Sequence, residues 1–306
     1  MAIPDFQSTM LPLLELLADG KPRSNRDVVE ALATKFNLTE DEKNEMLPSG
    51  VQQAFYNRVM WARFYLVKAG LLISPKRGTM QITPNGKQEL KAKPDKINIG
   101  YLRKFPEFNE FQSSASRRDT SDSTEAIVEE TSRTPEEILD SSYIQVRAAL
   151  SQELLAKVQG LTWMDFERLV VQLLVRMGYG GSVKDAGRAL TKGGDEGIDG
   201  TIKEDKLGLD IIYIQAKKWQ TGNTVGRPDI QKFVGALAGQ GAKKGIFITT
   251  SSFSKEAREY IPRNETKIVL IDGEELTQLM IDHDLGVTTQ RTYAVKRIDS
   301  DFFGEE

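Results

Sequence analysis

The chain of 306 residues contains no cysteine and one histidine, His283. The first absence excludes disulfides and thiolate metal sites. The two together exclude a zinc centre of cysteine and histidine ligands, His-Asn-His chemistry and a Cys-His nucleophile, and leave His283 alone to serve a Ser-His pair. His283 stands between two aspartates in the last predicted helix, the setting of a surface residue. No apolar run approaches the roughly 20 residues of a membrane-spanning helix. The stretch Met1-Ala2-Ile3-Pro4-Asp5 lacks a basic region followed by an apolar one, so a cytoplasmic location is expected. There is no Gly-x-x-x-x-Gly-Lys-Ser/Thr sequence, so no ATP-driven step is encoded.

What is present fits a globular protein with sizeable cores: 39% hydrophobic and 28% charged residues. A length prior of about 150 residues per domain gives two domains. The net charge of −3 argues against a polyanionic partner, but the charge is uneven. Residues 1–100 carry about three excess positive charges and residues 101–155 about five excess negative ones. Local fields rather than the total decide nucleic-acid binding.

Residues 1–100 read as mostly helical, with helices over Pro4–Ala18, from the Ser24 cap to Lys35, after the capping box Thr39-Glu40-Asp41-Glu42, and over Val51–Ala69. Two short strands, Leu71–Ile73 and Met80–Thr83, flank Pro75-Lys76-Arg77-Gly78, and Thr83-Pro84 starts another helix. Helices followed by a hairpin with a basic tip have the shape of a winged helix. On that reading Asn57, Arg58, Trp61 and Arg63 lie on the recognition helix and Lys76 and Arg77 on the wing, with Asn57 the first candidate to read a base. A small helical domain with a solvated basic face, or one that contacts protein, fits the same pattern.

Residues 101–134 read as a flexible linker, because Ser, Thr, Glu, Asp and Arg dominate Gln112–Arg133. Thr134 then caps a helix to about Val158, striped by Leu139, Tyr143, Val146, Leu150 and Leu154. From Leu161 helices alternate with strands, the mark of an α/β sheet with crossover connections; this second domain is expected over 135–306.

Within it, Gly194-Asp195-Glu196-Gly197-Ile198-Asp199-Gly200 precedes one strand, and Tyr213-Ile214-Gln215-Ala216-Lys217 ends the next. Side chains alternate across a strand, so Gln215 and Lys217 share a face and Ala216 points away. Leu209, Ile211 and Tyr213 share the face of Gln215, and Ile212 and Ile214 line the other, as in a strand covered on both sides. A hard metal ion wants oxygen ligands, and phosphodiester cleavage wants a cation near the phosphate. Asp199, Gln215 and Lys217 offer both, although a turn followed by a solvated strand face has the same spacing.

An α-β-β-β-α-β order with Asp on the second strand and polar-x-Lys on the third resembles the PD-(D/E)xK nuclease superfamily. The chain resembles, more closely, the Mrr family of restriction endonucleases. The resemblance is carried by Asp195, Gly197-Ile198-Asp199-Gly200, Gln215-Ala216-Lys217-Lys218-Trp219, Val225-Gly226-Arg227-Pro228, Gly235–Gln240 and Gly245–Ser251, and by Tyr56-Asn57-Arg58 with Trp61. It implies a restriction-endonuclease-like catalytic domain behind a winged helix. It implies a Mg²⁺-dependent endonuclease acting on double-stranded, methylated DNA, with Asp199 and Gln215 holding the metal and Lys217 activating water or stabilising the transition state. Glu167 matches the helix position that adds an acidic group. Glu196 has no assigned role. Cutting both strands needs two active sites, so a dimer or larger oligomer is expected, associated with the nucleoid. A non-cleaving DNA-binding regulator on a degenerate nuclease fold and a structure-specific nuclease are the competing classes. Survival of Asp199, Gln215 and Lys217 together favours a live enzyme.

Overall fold

The structure, a computed structural model, describes residues 3–116, 133–180, 197–205, 208–219, 222–260, 266–299 and 302. It divides into two compact units, Met1–Gln145 with Lys296–Glu306, and Val146–Val295.

The first unit opens with α1 (Phe6–Leu16), capped by Asp5, whose carboxylate accepts from the amides of Gln7 and Ser8. Strand β1 (Arg23–Ser24) leads into α2 (Asn25–Lys35), where the Ser24 hydroxyl accepts from Asp27 N. The Thr39–Glu42 capping box starts α3 (Glu40–Asn44). Helix α4 (Ala54–Lys68) begins later than the apolar spacing suggests, and Val51 is left exposed. Strands β2 (Leu72–Ile73) and β3 (Thr79–Ile82) form the expected hairpin, and α5 (Pro84–Lys91) follows the Thr83 cap. Strand β1 joins the hairpin, giving the order β1-β3-β2, a pairing too short to be legible from periodicity. Phe6, Leu13, Leu32, Phe55, Val59 and Leu66 form the core of this unit. Each such side chain contributes about 1.5–3 kcal/mol on burial.

The expected linker at 101–134 is corrected over its first part. Residues Ile99–Leu102 form α6 and Pro106–Ser116 form α7, and Leu102 and Phe108 are fully buried in the same core. The polar composition begins only after Phe111, which is why the whole span reads as unstructured. Residues 117–132 lie outside those described.

Helix α8 (Pro135–Gln159) begins in the first unit and continues into the second, so the division falls at 145/146 rather than before 135. Its predicted stripe is only partly a core. Leu154 is buried, whereas Leu139, Tyr143, Val146 and Leu150 are exposed. Burial in the second unit follows Ser151, Leu154 and Val158 instead, with the Ser151 hydroxyl hydrogen-bonded to that of Thr277 at 2.6 Å.

The second unit continues with α9 (Trp163–Arg176), capped by Thr162, then β4 (Gly200–Lys203), β5 (Ile211–Lys217), β6 (Thr224–Val225), α10 (Arg227–Gly239), β7 (Lys244–Thr249), β8 (Ser252–Phe253), α11 (Lys255–Arg258), β9 (Lys267–Ile271) and α12 (Gly273–Asp282). The main sheet runs β4-β5-β7-β9, antiparallel at β4–β5 and parallel beyond. The α-β-β-β-α-β order needs one further strand before Asp199, and residues 181–196, with Asp195 and Glu196, lie outside those described.

The sheet separates two cores. Ile212, Ile214 and Ile248 pack with α8, α9 and α12 on one face; Phe233 and Phe247 pack with α10 on the other. Gly245 is required there, because a Cβ would come within 2.7 Å of Leu237 and 2.8 Å of Phe233. Strand β5 is central as expected, but Leu209 and Ile211 at its start are exposed, so the cover on that face begins only at Tyr213.

Candidate active site

Strands β4 and β5 pair with Gly200 opposite Ile214, and Asp199 N donates to Ile214 O at 2.9 Å. Continuing that register brings Asp199 beside Gln215. The Asp199 carboxylate accepts from Gln215 Nε2 at 2.6 Å and from Ala216 N at 2.7 Å, both on Oδ2. Burial raises the Asp199 pKa, and the hydrogen bond from Ala216 N works against that rise. Glu167 is one turn into α9. Burial pushes its carboxyl up as well, and the negative charge of Asp199 adds to the shift. Burial thus disfavours ionisation of both carboxyls, and perturbed carboxyls of this kind cluster at functional sites.

Among the described residues no three His, Cys, Asp or Glu side chains converge on one point. The Asp199 carboxylate and the Gln215 amide do converge, with Glu167 nearby; the amide turns Nε2 to Asp199, and its Oε1 with the two carboxyls would be the oxygen donors for a hard divalent cation. Gly197 lies beside this pair: its φ is +103°, and a Cβ there would stand in ordinary contact with Gln215 Oε1, at 3.5 Å. The residues present therefore fit a divalent metal.

Lys217 shares the face of Gln215 but is engaged elsewhere. Its ammonium pairs with Asp229 Oδ1 at 2.5 Å and lies 4.0 Å from the centre of the Trp219 ring. Asp229 is on the first turn of α10, and its other oxygen accepts from Gly226 N at 3.3 Å. Sequence reasoning missed Asp229. The only available signal was its place directly after Val225-Gly226-Arg227-Pro228.

The end of β5 is held by two fully buried threonines whose motif was visible in the sequence but whose role was not. Thr249 Oγ1 donates to Lys217 O at 2.8 Å. Thr250 Oγ1 accepts from Trp219 N at 2.9 Å and donates to Trp219 O at 2.6 Å.

In the first unit, the residues predicted to read DNA fall into two groups. Asn57 is 2% exposed. Its amide nitrogen donates to Gln52 and Glu136, and its oxygen accepts from the Thr134 hydroxyl at 2.8 Å. Trp61 Nε1 donates to Glu136 at 2.9 Å, and Arg58 pairs with Glu137 at 2.8 Å while donating to the carbonyls of Ile3 and Pro4. At these three positions the start of α8 occupies the face of α4 that was expected to meet bases. Arg63 bonds the Ser74 hydroxyl, and burial lowers the pKa of its guanidinium. Lys76 and Arg77 are exposed on the β2–β3 turn, which Thr79 closes by accepting from Lys76 N and donating to Lys76 O.

A carboxylate and an amide oxygen on paired strands, a lysine two residues on, and helices on both faces of the sheet define a restriction-endonuclease-like fold. The comparisons agree. Residues 158–280 match a family described as restriction endonuclease, and residues 6–92 match the Mrr N-terminal domain. The chain is 36% identical to the type IV methyl-directed restriction enzyme EcoKMrr of Escherichia coli strain K12, across 99% of this chain and 100% of that protein. The chain belongs to the Mrr family of restriction endonucleases. Among solved structures it is similar to the MspJI restriction endonuclease in complex with a 27-mer oligonucleotide, at 25% identity over 44% of this chain and 31% of that one, TM-score 0.33. It is also similar to the DNA modification-dependent restriction endonuclease AspBHI, at 17% identity over 45% and 36%, TM-score 0.34. The chain spans about a third of the length of these two structures.

Proposed function

We propose that this chain is a divalent-metal-dependent endonuclease that hydrolyses phosphodiester bonds in methylated double-stranded DNA, a type IV restriction enzyme. The observation that carries this is the Asp199–Gln215 pair at 2.6 Å with Lys217 two residues along the same strand, in a chain of the Mrr family whose curated relative is methyl-directed.

Asp199 and Gln215 would hold the metal, with Mg²⁺ the ion best matched to an all-oxygen set at a phosphate, and Glu167 would add charge beside them. The bound ion would supply Lewis-acid polarisation of the phosphate and an activated water. Gln215 in place of a second carboxylate leaves the site one negative charge poorer, so metal binding is weaker than with two carboxylates. Lys217 opposes the charge that develops on the phosphate, an interaction whose loss typically costs on the order of 10²–10³ in rate. Burial lets Glu167 keep a proton at a higher pH than an ordinary carboxyl.

The first unit is a winged helix that positions the duplex. Helices α1, α2 and α4 with a β1-β3-β2 sheet support this reading. Lys76 and Arg77 on the wing tip reach phosphate. With Asn57, Arg58 and Trp61 engaged by α8, a methylated base is read elsewhere. Cleavage of both strands calls for two copies of the chain, acting on chromosomal or invading DNA in the cytoplasm.

The test is incubation with Mg²⁺ of parallel methylated and unmethylated plasmids. Nicked and linear products from the methylated plasmid are expected, and none with D199A. Binding without cutting at any Mg²⁺ concentration would instead identify a DNA-binding regulator.

A further inference from the structure

We propose that Asp229 is a positioning residue of the cleavage site, holding the Lys217 ammonium where it can meet a phosphate and away from the carboxylates that bind metal. The inference rests on the catalytic reading of Lys217 given above.

A lysine is a point charge on a flexible four-carbon stem, and its direction is set by its partners. Lys217 shares its strand face with Gln215, so the nearby negative charge of Asp199 would attract it. An ion pair there would occupy the oxygens that a cation needs. Among the described residues, Lys217 makes its ion pair with Asp229 at 2.5 Å instead, with its ammonium against the Trp219 ring.

Asp229 is itself fixed. One oxygen takes Lys217 and the other takes Gly226 N at 3.3 Å. Its carboxylate stands on the first turn of α10, where the helix dipole favours negative charge. That helix is anchored in the core by the fully buried Ile230 and Phe233 directly after it. The chain thus builds a rigid carboxylate opposite the lysine on an element separate from the strands that carry Asp199 and Gln215. The helix cap alone would need only the oxygen that meets Gly226. The second oxygen is committed to the lysine.

The experiment compares D229N, D229E and K217A with the parental chain in single-turnover cleavage of methylated duplex across a Mg²⁺ series. Binding in Ca²⁺ and thermal melting are measured in parallel. Asn keeps the shape and an oxygen for Gly226 N but loses the charge. D229N is expected to cut about 10–100-fold more slowly, the usual effect of losing such a supporting partner. Duplex affinity and melting should stay near parental. The Mg²⁺ midpoint should rise as Lys217 turns toward Asp199, and D229E should restore most of the rate. A residue that only caps α10 would leave D229N at the parental rate and midpoint, and that result overturns the proposal, as does a D229N that cuts faster. Should D229N fail to fold, D229S, whose hydroxyl can still accept from Gly226 N, carries the same expectations. K217A separates the two levels: a K217A that cuts normally removes the catalytic reading itself, whereas a dead K217A beside a parental D229N removes only the inference.

Discussion

Replacing Gln215 with Glu changes one atom type at the centre of the site and is expected to act in opposite directions with and without metal. In the parental chain Gln215 Nε2 donates to Asp199 Oδ2 at 2.6 Å. The variant sets a carboxylate oxygen in place of that donor. Two carboxylate charges about 4 Å apart repel by about 4 kcal/mol at an effective dielectric of about 20. Proton uptake limits the cost. Keeping a glutamate of ordinary pKa neutral at pH 7 takes about 1.4 kcal/mol per unit, or about 3.7 kcal/mol in all. The metal-free Gln215→Glu chain should therefore lose about 3–4 kcal/mol of stability, which at about 2–4 °C per kcal/mol lowers Tm by about 6–15 °C. A divalent cation removes the repulsion, and excess ion at about 100 times its Kd returns about 2.7 kcal/mol. In EDTA the variant should melt well below the parental chain, in Mg²⁺ the gap should narrow to a few degrees, and cleavage should need less Mg²⁺. Thermal melts across a Mg²⁺ series, paired with cleavage rates on methylated plasmid, measure all three. Equal melting in EDTA would show that the two side chains do not adjoin, and a higher Mg²⁺ requirement would remove Gln215 from the ligand set.

Other perturbations test each of the two units. Thr250→Val keeps shape but leaves Trp219 N and O without their hydroxyl partner, so stability should fall by about 2–3 kcal/mol in denaturant unfolding, with a loss of activity; an unchanged midpoint would show that water replaces the hydroxyl. Burial raises both Asp199 and Glu167 in the metal-free chain, so at subsaturating Mg²⁺ cleavage should fall on acidification with a midpoint above the ordinary carboxylate range of about 4. A raised folded-state pKa gives a stability contribution that is fully present at low pH and lost as pH rises through it. Glu167→Gln should therefore raise the EDTA melting temperature at pH 7 and make no difference below about pH 4. Finally, Asn57→Ala strands the Thr134 hydroxyl and should cost about 2–4 kcal/mol of stability. Lys76→Ala should leave stability within about 0.5 kcal/mol and instead reduce the salt slope of DNA binding by about one, which a titration across salt concentrations measures.

The helix starts were legible because a cap acts within three residues: Ser24, Thr39 and Thr83 each accept from the amide three positions on. The neighbouring placement of Asp199 and Gln215 was legible in outline, since strand alternation fixes which face a side chain takes and two adjacent strands suffice to bring them together. The absence of cysteine and the single histidine, with the all-oxygen donor set, excluded whole classes of chemistry before any fold was considered.

Only the tertiary structure decided who pairs with whom. Asn57 and Arg58 look like base and phosphate contacts on a basic helix, yet their partners Glu136 and Glu137 lie 79 residues away and arrive through the packing of α8 on α4. Lys217 looks committed to its strand face, yet α10 brings Asp229 against it. Phe108 sits in a run whose polar flank reads as linker, and its burial depends on a pocket built by α4 and its neighbours. Local backbone preferences are encoded over a few residues, whereas the choice of a charged group's partner depends on which helix packs against it, and that is set by burial summed over the whole core.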